Sequence, residues 1–129
     1  MKIEYFADGA QDCPLILIYG NEPDAIKNLQ NALKPLVTGT IEQIAIHELP
    51  GFVSIGNCQL FAKAQAKDSG IQQANSGLVF VCGLRRDVWQ DVIDLLEPFA
   101  SMNPSEHVRF QYLTQTGRIS LLVSTSRSW

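Results

Sequence analysis

Two apolar runs stand out from the alternating pattern elsewhere in the chain. One extends from Leu15 to Tyr19 and the other from Leu78 to Cys82, and a glycine follows each run. A run without polar positions predicts a strand that is buried on both faces, whereas a strand with one wet face alternates apolar and polar residues. The pattern therefore predicts two central strands, each ended by its glycine.

The segment after each run has helical spacing. Apolar residues recur there at intervals of three and four: Ile26, Leu29, Leu33 and Leu36 in the first segment, and Val88, Trp89, Val92, Ile93, Leu96 and Phe99 in the second. This spacing places the apolar residues on one face of a helix. Pro23 suits the first helical turn, as do the acidic residues Asp24 and Asp87. Pro35 and Pro98 predict that each helix kinks or ends there.

The two stretches align with each other without a gap. Residues 15–37 match residues 78–100 at an offset of 63, with identical residues at five of 23 positions. A glycine, a helix-start aspartate and a late-helix proline all coincide in this alignment. Self-similarity at a fixed offset indicates an internal duplication. We therefore predict pseudo-repeat units at about 14–67 and 77–126 within a single domain that spans residues 1–129.

Shorter runs with a period near two complete the pattern. Further strands are predicted at Lys2–Phe6, at about 41–46 and 52–55, at Gln59–Lys67, at about 108–112 and at Arg118–Ser126. Turn signals at 68–70 and 75–77 predict a loop or a hairpin crossing between the units. The predicted fold is α+β, with internally duplicated βαββ(β) units forming a largely antiparallel sheet and both helices on one face. Its other face is then covered either by curling of the sheet or by a second subunit.

Composition narrows the class of protein. The chain has 129 residues, of which 46% are hydrophobic and 18% are charged, as expected for a globular domain. Its net charge of −3 disfavours nucleic-acid binding, because nucleic-acid-binding proteins neutralise phosphates with clustered Lys and Arg. No apolar run approaches the roughly 20 residues that cross a bilayer, and residues 1–5 do not resemble a signal peptide. We therefore expect a cytoplasmic protein with no membrane or nucleic-acid partner.

The cysteines give no sign of a disulfide framework or a metal site. Cys13, Cys58 and Cys82 are odd in number and have no CxxC spacing. Cys82 lies inside an apolar run, where a buried thiol behaves as a small apolar side chain. All three are therefore interpreted as structural residues.

Two histidines and an adjacent carboxylate form the candidate polar site. Alternation along a strand with Ile44 and Ile46 inward places Glu48 inward as well, where burial would shift its pKa. His47 then points to the opposite face, so the two side chains cannot easily bind one ion. His107 begins a later strand, and no metal or cofactor is assigned. The alternative is that His47 and Glu48 lie in water at a fraying strand end and that His107 is exposed.

Two arginines form a candidate anion-binding site. Arg85 and Arg86 open the second helix, where free backbone N–H groups favour anions. The alternative is that the two guanidinium groups are solvated or paired with Asp87.

No catalytic constellation emerges from these features, because no base, nucleophile and orienting group occur together. The favoured function is a small non-catalytic binding or protein-interaction module that forms a homodimer or binds another protein. The dimer is expected because the two central strands are apolar on both faces. The alternative is a small-molecule or metal-dependent enzyme with its site inside a curled sheet. An internal polar pocket would favour the enzyme, and an exposed flat apolar face would favour assembly.

Overall fold

The helices and strands of the chain follow the predicted order with one added strand. The computed structural model describes residues 1–75, 77–101 and 109–129. Its elements are β1 (Lys2–Phe6), β2 (Leu15–Tyr19), α1 (Pro23–Thr38), β3 (Gln43–Ala45), a 3-10 turn (Ile46–Glu48), β4 (Val53–Ser54), β5 (Gln59–Ala64), β6 (Gly70–Ala74), β7 (Val79–Leu84), α2 (Arg86–Ala100), β8 (Phe110–Thr114) and β9 (Ser120–Ser124). The α+β class is confirmed. The added element is β6, in a segment that was predicted as a loop or a hairpin crossing.

The strands form two mixed sheets, where one largely antiparallel sheet was predicted. Sheet 1 has the order β4-β1-β2-β9-β8 and sheet 2 has the order β3-β5-β7-β6. At the centre of each sheet lies a parallel pair, β2 with β9 and β5 with β7. Antiparallel neighbours flank both pairs. Each sheet therefore combines strands from both halves of the chain, which local periodicity does not encode.

Both helices lie where their spacing predicts. Pro23 occupies the start of α1, where its missing N–H costs no hydrogen bond. At its other end the Gly39 N–H donates to the Pro35 carbonyl at 3.1 Å, with Gly39 in the left-handed conformation at φ 86°. Each helix continues past its late proline, α1 to Thr38 and α2 to Ala100. The prolines thus lie in the final turns rather than at the ends.

One large core lies between the helices and both sheets. It takes Ile16 and Ile18 from sheet 1, Leu60 and Phe80 from sheet 2, and the apolar stripes of both helices. Trp89 of α2 is fully buried there, and its indole N–H donates to the Lys63 carbonyl of β5 at 2.9 Å. Burial of a large aromatic side chain with its N–H paired stabilises the core without leaving a polar atom unsatisfied.

The helices also contact each other through polar groups. Gln30 of α1 is buried, and its amide donates to the Ile93 carbonyl at 3.1 Å and to Glu97 Oε2 at 2.9 Å, both on α2. From the other side, the Arg86 guanidinium donates to the Leu36 carbonyl at 2.6 Å, near the end of α1. A buried amide that is satisfied in this way fixes the relative positions of the two helices.

A second, smaller cluster covers the opposite face of sheet 1. Leu15, Leu17, Tyr19 and Leu122 form this outer cluster, and Phe6, Cys13, Tyr112 and Trp129 pack against it. Leu15 and Leu17 are completely buried, as are Ile16 and Ile18 on the core side. The apolar face that motivated the homodimer is therefore covered by the chain itself on sheet 1. On sheet 2 Val79 and Val81 are half-buried, and Leu78 is 39% exposed.

The strand faces do not follow the ungapped alignment of the two halves. At the offset of 63, Leu17 aligns with Phe80, yet Leu17 belongs to the outer cluster and Phe80 to the main core. Ile16 and Phe80 are the residues that share the core-facing position. Gly83 likewise does not end its strand, because β7 continues to Leu84. A shift of one residue turns every side chain of a strand to the other face, so any correspondence between the halves requires a gap between strand and helix.

Among the described residues, no helix is long and apolar enough to cross a membrane.

Candidate functional site

The two sheets meet where β6 and β9 begin. Ile71 and Ile119 form an isolated antiparallel bridge there. The approach depends on glycine, because a Cβ at Gly70 would overlap the Thr116 carbonyl oxygen, and Gly70 has φ 68°. A Cβ at Gly117 would lie 2.9 Å from the Ser69 carbonyl oxygen. Two turn signals that look independent in the sequence thus form one backbone contact.

A groove of about 470 Å³ opens beside this contact. We call it the junction groove, and its lining residues are Tyr5, Pro14, Ile71, Gln72, Gln73, Arg118 and Ile119. Ile71 and Ile119 are buried and form apolar lining, while Gln72, Gln73 and Arg118 are exposed. The Tyr5 ring packs on Phe80 with the ring centroids 4.7 Å apart. A volume of this size and a few polar groups beside apolar ones are typical of ligand sites.

The junction groove follows the edge of β6 rather than one of its faces. Consecutive strand residues point to opposite faces, yet Ile71, Gln72 and Gln73 all line the groove. Within sheet 2, β6 is the terminal strand and pairs with β7 on one side. On its other side, the described residues contribute only the bridge at Ile71. Because alternate residues of a strand point their backbone groups to opposite sides, the open part of this edge is the N–H and C=O of Gln73, next to the groove.

Arg118 supplies the charge of the junction groove. It is the one charged residue in the described lining, and no described residue forms an ion pair or hydrogen bond with its side chain. Gln73 donates its amide to the Gly77 carbonyl, whereas the Gln72 side chain has no partner among the described residues. The groove can therefore present a guanidinium and an amide to a ligand, and its described lining includes no histidine, cysteine or carboxylate.

The predicted polar site does not assemble in the expected way. His47 and Glu48 lie in the 3-10 turn, so the inward position predicted for Glu48 is wrong and its side chain is 75% exposed. The His47 side chain is the buried one, at 10% exposed. The reason is that these residues form a 3-10 turn, with three residues per turn, rather than a strand in which side chains alternate between two faces. His47 therefore points inward and Glu48 points outward, the reverse of the prediction. His107 lies outside the described residues.

The imidazole of His47 accepts a hydrogen bond from the backbone of β5. The Leu60 N–H donates to His47 Nδ1 at 3.1 Å, one residue beyond the last β3–β5 pair, and the ring contacts Phe61 edge-on. His47 Nε2 lies 3.9 Å from Glu48 Oε1, too far for a hydrogen bond. His47 thus satisfies a backbone donor, and only Nε2 remains for other chemistry.

Arg85 and Arg86 are both occupied by protein groups. The Arg85 backbone N–H and guanidinium bind Asp68 at 2.8 and 3.0 Å, which holds the pKa of Asp68 below its ordinary value. Asp87 lies farther from Arg85, at 3.8 Å. Arg86 donates to Leu36 across the helix pair. An anion at the start of α2 would therefore have to displace existing partners.

The cysteines lie in apolar surroundings. Burial raises the pKa of the Cys58 thiol to about 11 and that of Cys82 to about 12. Thiols with such pKa values hold almost no thiolate near neutral pH and are poor nucleophiles. Cys13 is half-buried beside the outer cluster. Among the described residues, no group of three or more His, Cys, Asp or Glu is arranged to hold a metal ion.

The sequence contained a signal for the junction groove that we interpreted differently. Residues 70–74 lie between two turn signals and have the length of a short strand, but two polar glutamines obscured the apolar alternation. Arg118 lies just before β9, whereas the last strand was predicted to begin with it. Periodicity could not predict that these two segments are in contact, because they are far apart in the chain.

No known family model, curated protein or solved structure matched the chain. The residues of the junction groove are therefore the basis for inferring a function.

Proposed function

We propose that the protein is a non-catalytic binding module and that the junction groove is its binding site. The observation that carries this proposal is that a groove of about 470 Å³ coincides with an open strand edge. An open edge presents unpaired backbone N–H and C=O groups, which proteins normally cover or use for binding. The bound partner is another molecule with an exposed extended segment, and the cytoplasm is the compartment expected from the sequence.

The chemistry of the groove favours binding over catalysis. General acid–base catalysis needs a group that gains and loses a proton near the working pH, most often a histidine or a carboxyl group. The described lining offers Tyr5, Arg118 and amides instead. The buried thiols and the His47 ring already have structural roles elsewhere. An enzyme with its site inside a curled sheet is therefore the weaker of the two functions.

The proposed module consists of two copies of one unit. On this proposal the units predicted at about 14–67 and 77–126 each gain a preceding strand, so that β1-β2-α1-β3-β5 corresponds to β6-β7-α2-β8-β9. Equivalent strand orders support it, β1-β2-β9-β8 in sheet 1 and β6-β7-β5-β3 in sheet 2. The helices also begin at the expected offset, at Pro23 and Arg86. Each sheet then takes its first strand pair from one copy and its second pair from the other.

The test is whether ligands selected by the whole chain bind at this groove. Short random peptides displayed on phage are selected against the immobilised protein, and the enriched peptides are synthesised for titration. We expect Gln72→Trp, which fills the groove, to weaken their binding. Gln59→Trp is the matched control, because Gln59 is an exposed glutamine in β5 of the same sheet.

The proposal fails if Gln72→Trp and Gln59→Trp bind the peptides equally well. It also fails if titration of the labelled protein shifts backbone amide signals elsewhere but leaves those of Gln72, Gln73 and Ile119 unchanged. Both variants change exposed side chains, and thermal unfolding checks that each one is folded.

A further inference from the structure

We propose that the ligand of the junction groove is an extended segment of a partner protein that carries an acidic side chain. The inference rests on the proposed function and names the ligand class of the same site. Two independent features support it: the open backbone edge of β6, which selects an extended segment, and the charge of Arg118, which selects an acid.

The edge of β6 sets the conformation and the length of the ligand. Beyond the bridge between Ile71 and Ile119, the backbone N–H and C=O of Gln73 have no described partner at this edge, whereas the Ala74 carbonyl accepts from the Gly77 N–H at 3.2 Å. An added strand can pair with the N–H and C=O of Gln73 and extend along about three residues of β6, or roughly 10 Å, because alternate residues of a strand point to opposite sides. Because main-chain hydrogen bonds supply most of the contact in strand addition, the ligand has to be a polypeptide in extended form.

The molecule already contains an addition of this type. In sheet 1 the short strand β4 lies along the outer edge of β1. There the Val53 N–H donates to the Met1 carbonyl, and the Ile55 N–H donates to the Ile3 carbonyl, both at 2.9 Å. A segment as short as β4 therefore binds an edge of this fold when neighbouring contacts hold it in place. At β6 the groove beside the edge offers such contacts.

Arg118 determines the charge of the ligand. A guanidinium with no described anionic partner can bind a carboxylate through two parallel hydrogen bonds. The chain as a whole carries a net charge of −3, so long-range attraction does not bring an acidic segment to the protein. The preference has to come from direct contact at Arg118. The apolar lining at Tyr5 and Ile119 then suits an apolar side chain near the acid in the ligand.

The experiment uses the selected peptides and two charge variants of the full chain. We expect the enriched peptides to share an Asp or Glu at one position. Replacing that residue by its amide should weaken binding about tenfold or more, as expected for loss of a charge-assisted hydrogen bond. Arg118→Gln should weaken binding of the acidic peptide by a similar factor. This variant should bind the acidic peptide and its amide form equally well. Lys67→Gln, which removes an exposed positive charge outside the groove, should bind as wild type does.

Backbone methylation tests the extended conformation. N-methylation of a peptide amide that pairs with the edge of β6 should abolish binding, whereas methylation of the next amide should have little effect, because alternate amides point to opposite sides of a strand. The inference is overturned if the groove binds peptides without an acid preference, and the proposed function then still stands. It is also overturned if Gln72→Trp has no effect, in which case both fail, or if the open edge is occupied by β6 of a second copy of the chain.

Discussion

Gly70 determines how closely the two sheets can approach. Its φ of 68° lies in the region that favours glycine, and the Thr116 carbonyl occupies the space that a side chain would need. Gly56 has a similar φ of 62° but no heavy atom within 4 Å of a Cβ built there. Substitution of Gly56 therefore measures only the cost of the backbone conformation. Substitution of Gly70 adds the cost of the close contact.

We predict that Gly70→Ala destabilises the protein by more than about 3 kcal/mol, since strain and steric overlap combine. Gly56→Ala should cost only the conformational part, about 1–2 kcal/mol. Urea unfolding of the wild type and both variants measures the difference. Equal losses in the two variants would show that the sheets can separate at Gly70 without cost.

The candidate polar site shows where residue-level prediction fails. The sequence correctly identified His47 and Glu48 as adjacent polar residues at a strand end. The assignment of their faces depended on a strand that in fact ends at Ala45. One turn of different periodicity then buries the His47 side chain and exposes the Glu48 carboxylate. Predictions of which side chain points inward therefore depend on an element boundary, which is the least reliable part of a sequence-based assignment.

At the scale of elements, local pattern was sufficient for most of the fold. Spacing of apolar residues predicted both helices, and β1 has its predicted bounds, whereas β5 begins at Gln59 as predicted but ends at Ala64 rather than at Lys67. Pairing of β2 with β9 and of β5 with β7 was not predictable in this way, because it joins residues far apart in the chain. The junction groove is formed by such long-range neighbours. Its residues could be found in the sequence, but their proximity could not.

Arg86 illustrates a contact between elements that resembles a binding site in the sequence. It is half-buried, and its donation to Leu36 satisfies a carbonyl near the C-terminal end of α1, where the helix dipole also favours a cation. We predict that Arg86→Ala lowers the free energy of unfolding by about 1.5 kcal/mol, the usual contribution of a hydrogen bond from a charged group. Arg85→Ala should cost less, because its pair with Asp68 is exposed to water.

Chemical unfolding of both variants, with and without phosphate, tests this assignment. A structural role predicts that phosphate leaves the stability of the wild type unchanged. Stabilisation by phosphate that disappears in Arg85→Ala and Arg86→Ala would instead establish the anion site predicted at the start of α2.

At the scale of the whole molecule, residues 125–129 pack against strand β1. We call these residues the C-terminal tail. The Arg127 guanidinium binds the two oxygens of Glu4 at 3.1 and 2.9 Å and lies 5.0 Å from the Phe6 ring. Trp129 contacts Phe6 edge-on, with the ring centroids 5.1 Å apart. The tail thus holds an aromatic side chain against the outer cluster.

The contribution of this ion pair should depend on pH. Hydrogen bonds from Arg127 and Tyr19 outweigh burial and hold the pKa of Glu4 below its ordinary value of 4.5. A carboxyl group with a lowered pKa in the folded state stabilises the fold fully above its ordinary value, and the contribution is lost as the pH falls through the lowered pKa. The stability difference between wild type and Glu4→Gln should therefore shrink from pH 6 to below about pH 4.

Urea unfolding across this pH range provides the measurement. The effect should be modest, because Arg127 is 61% exposed and water screens the pair. Glu48→Gln, which alters a carboxylate that is 75% exposed, serves as the control. A difference between wild type and Glu4→Gln that stays constant with pH would exclude the ion pair as its cause.

The tail also bears on the homodimer expected from the apolar strands. Removal of residues 127–129 takes away the Arg127–Glu4 pair and Trp129, and it opens the cluster of Leu15, Leu17 and Leu122 to water. A newly exposed apolar patch promotes association, and a twofold dimer is the commonest result.

We predict that the full chain has a mass near 14.3 kDa by light scattering, whereas the truncated chain gains mass as its concentration rises. A full chain of twice that mass would instead support the homodimer expected from the sequence, with its interface elsewhere than at the face that the tail covers. A truncated chain that keeps the monomer mass at every concentration would mean that Phe6 and Tyr112 cover the outer cluster without the tail.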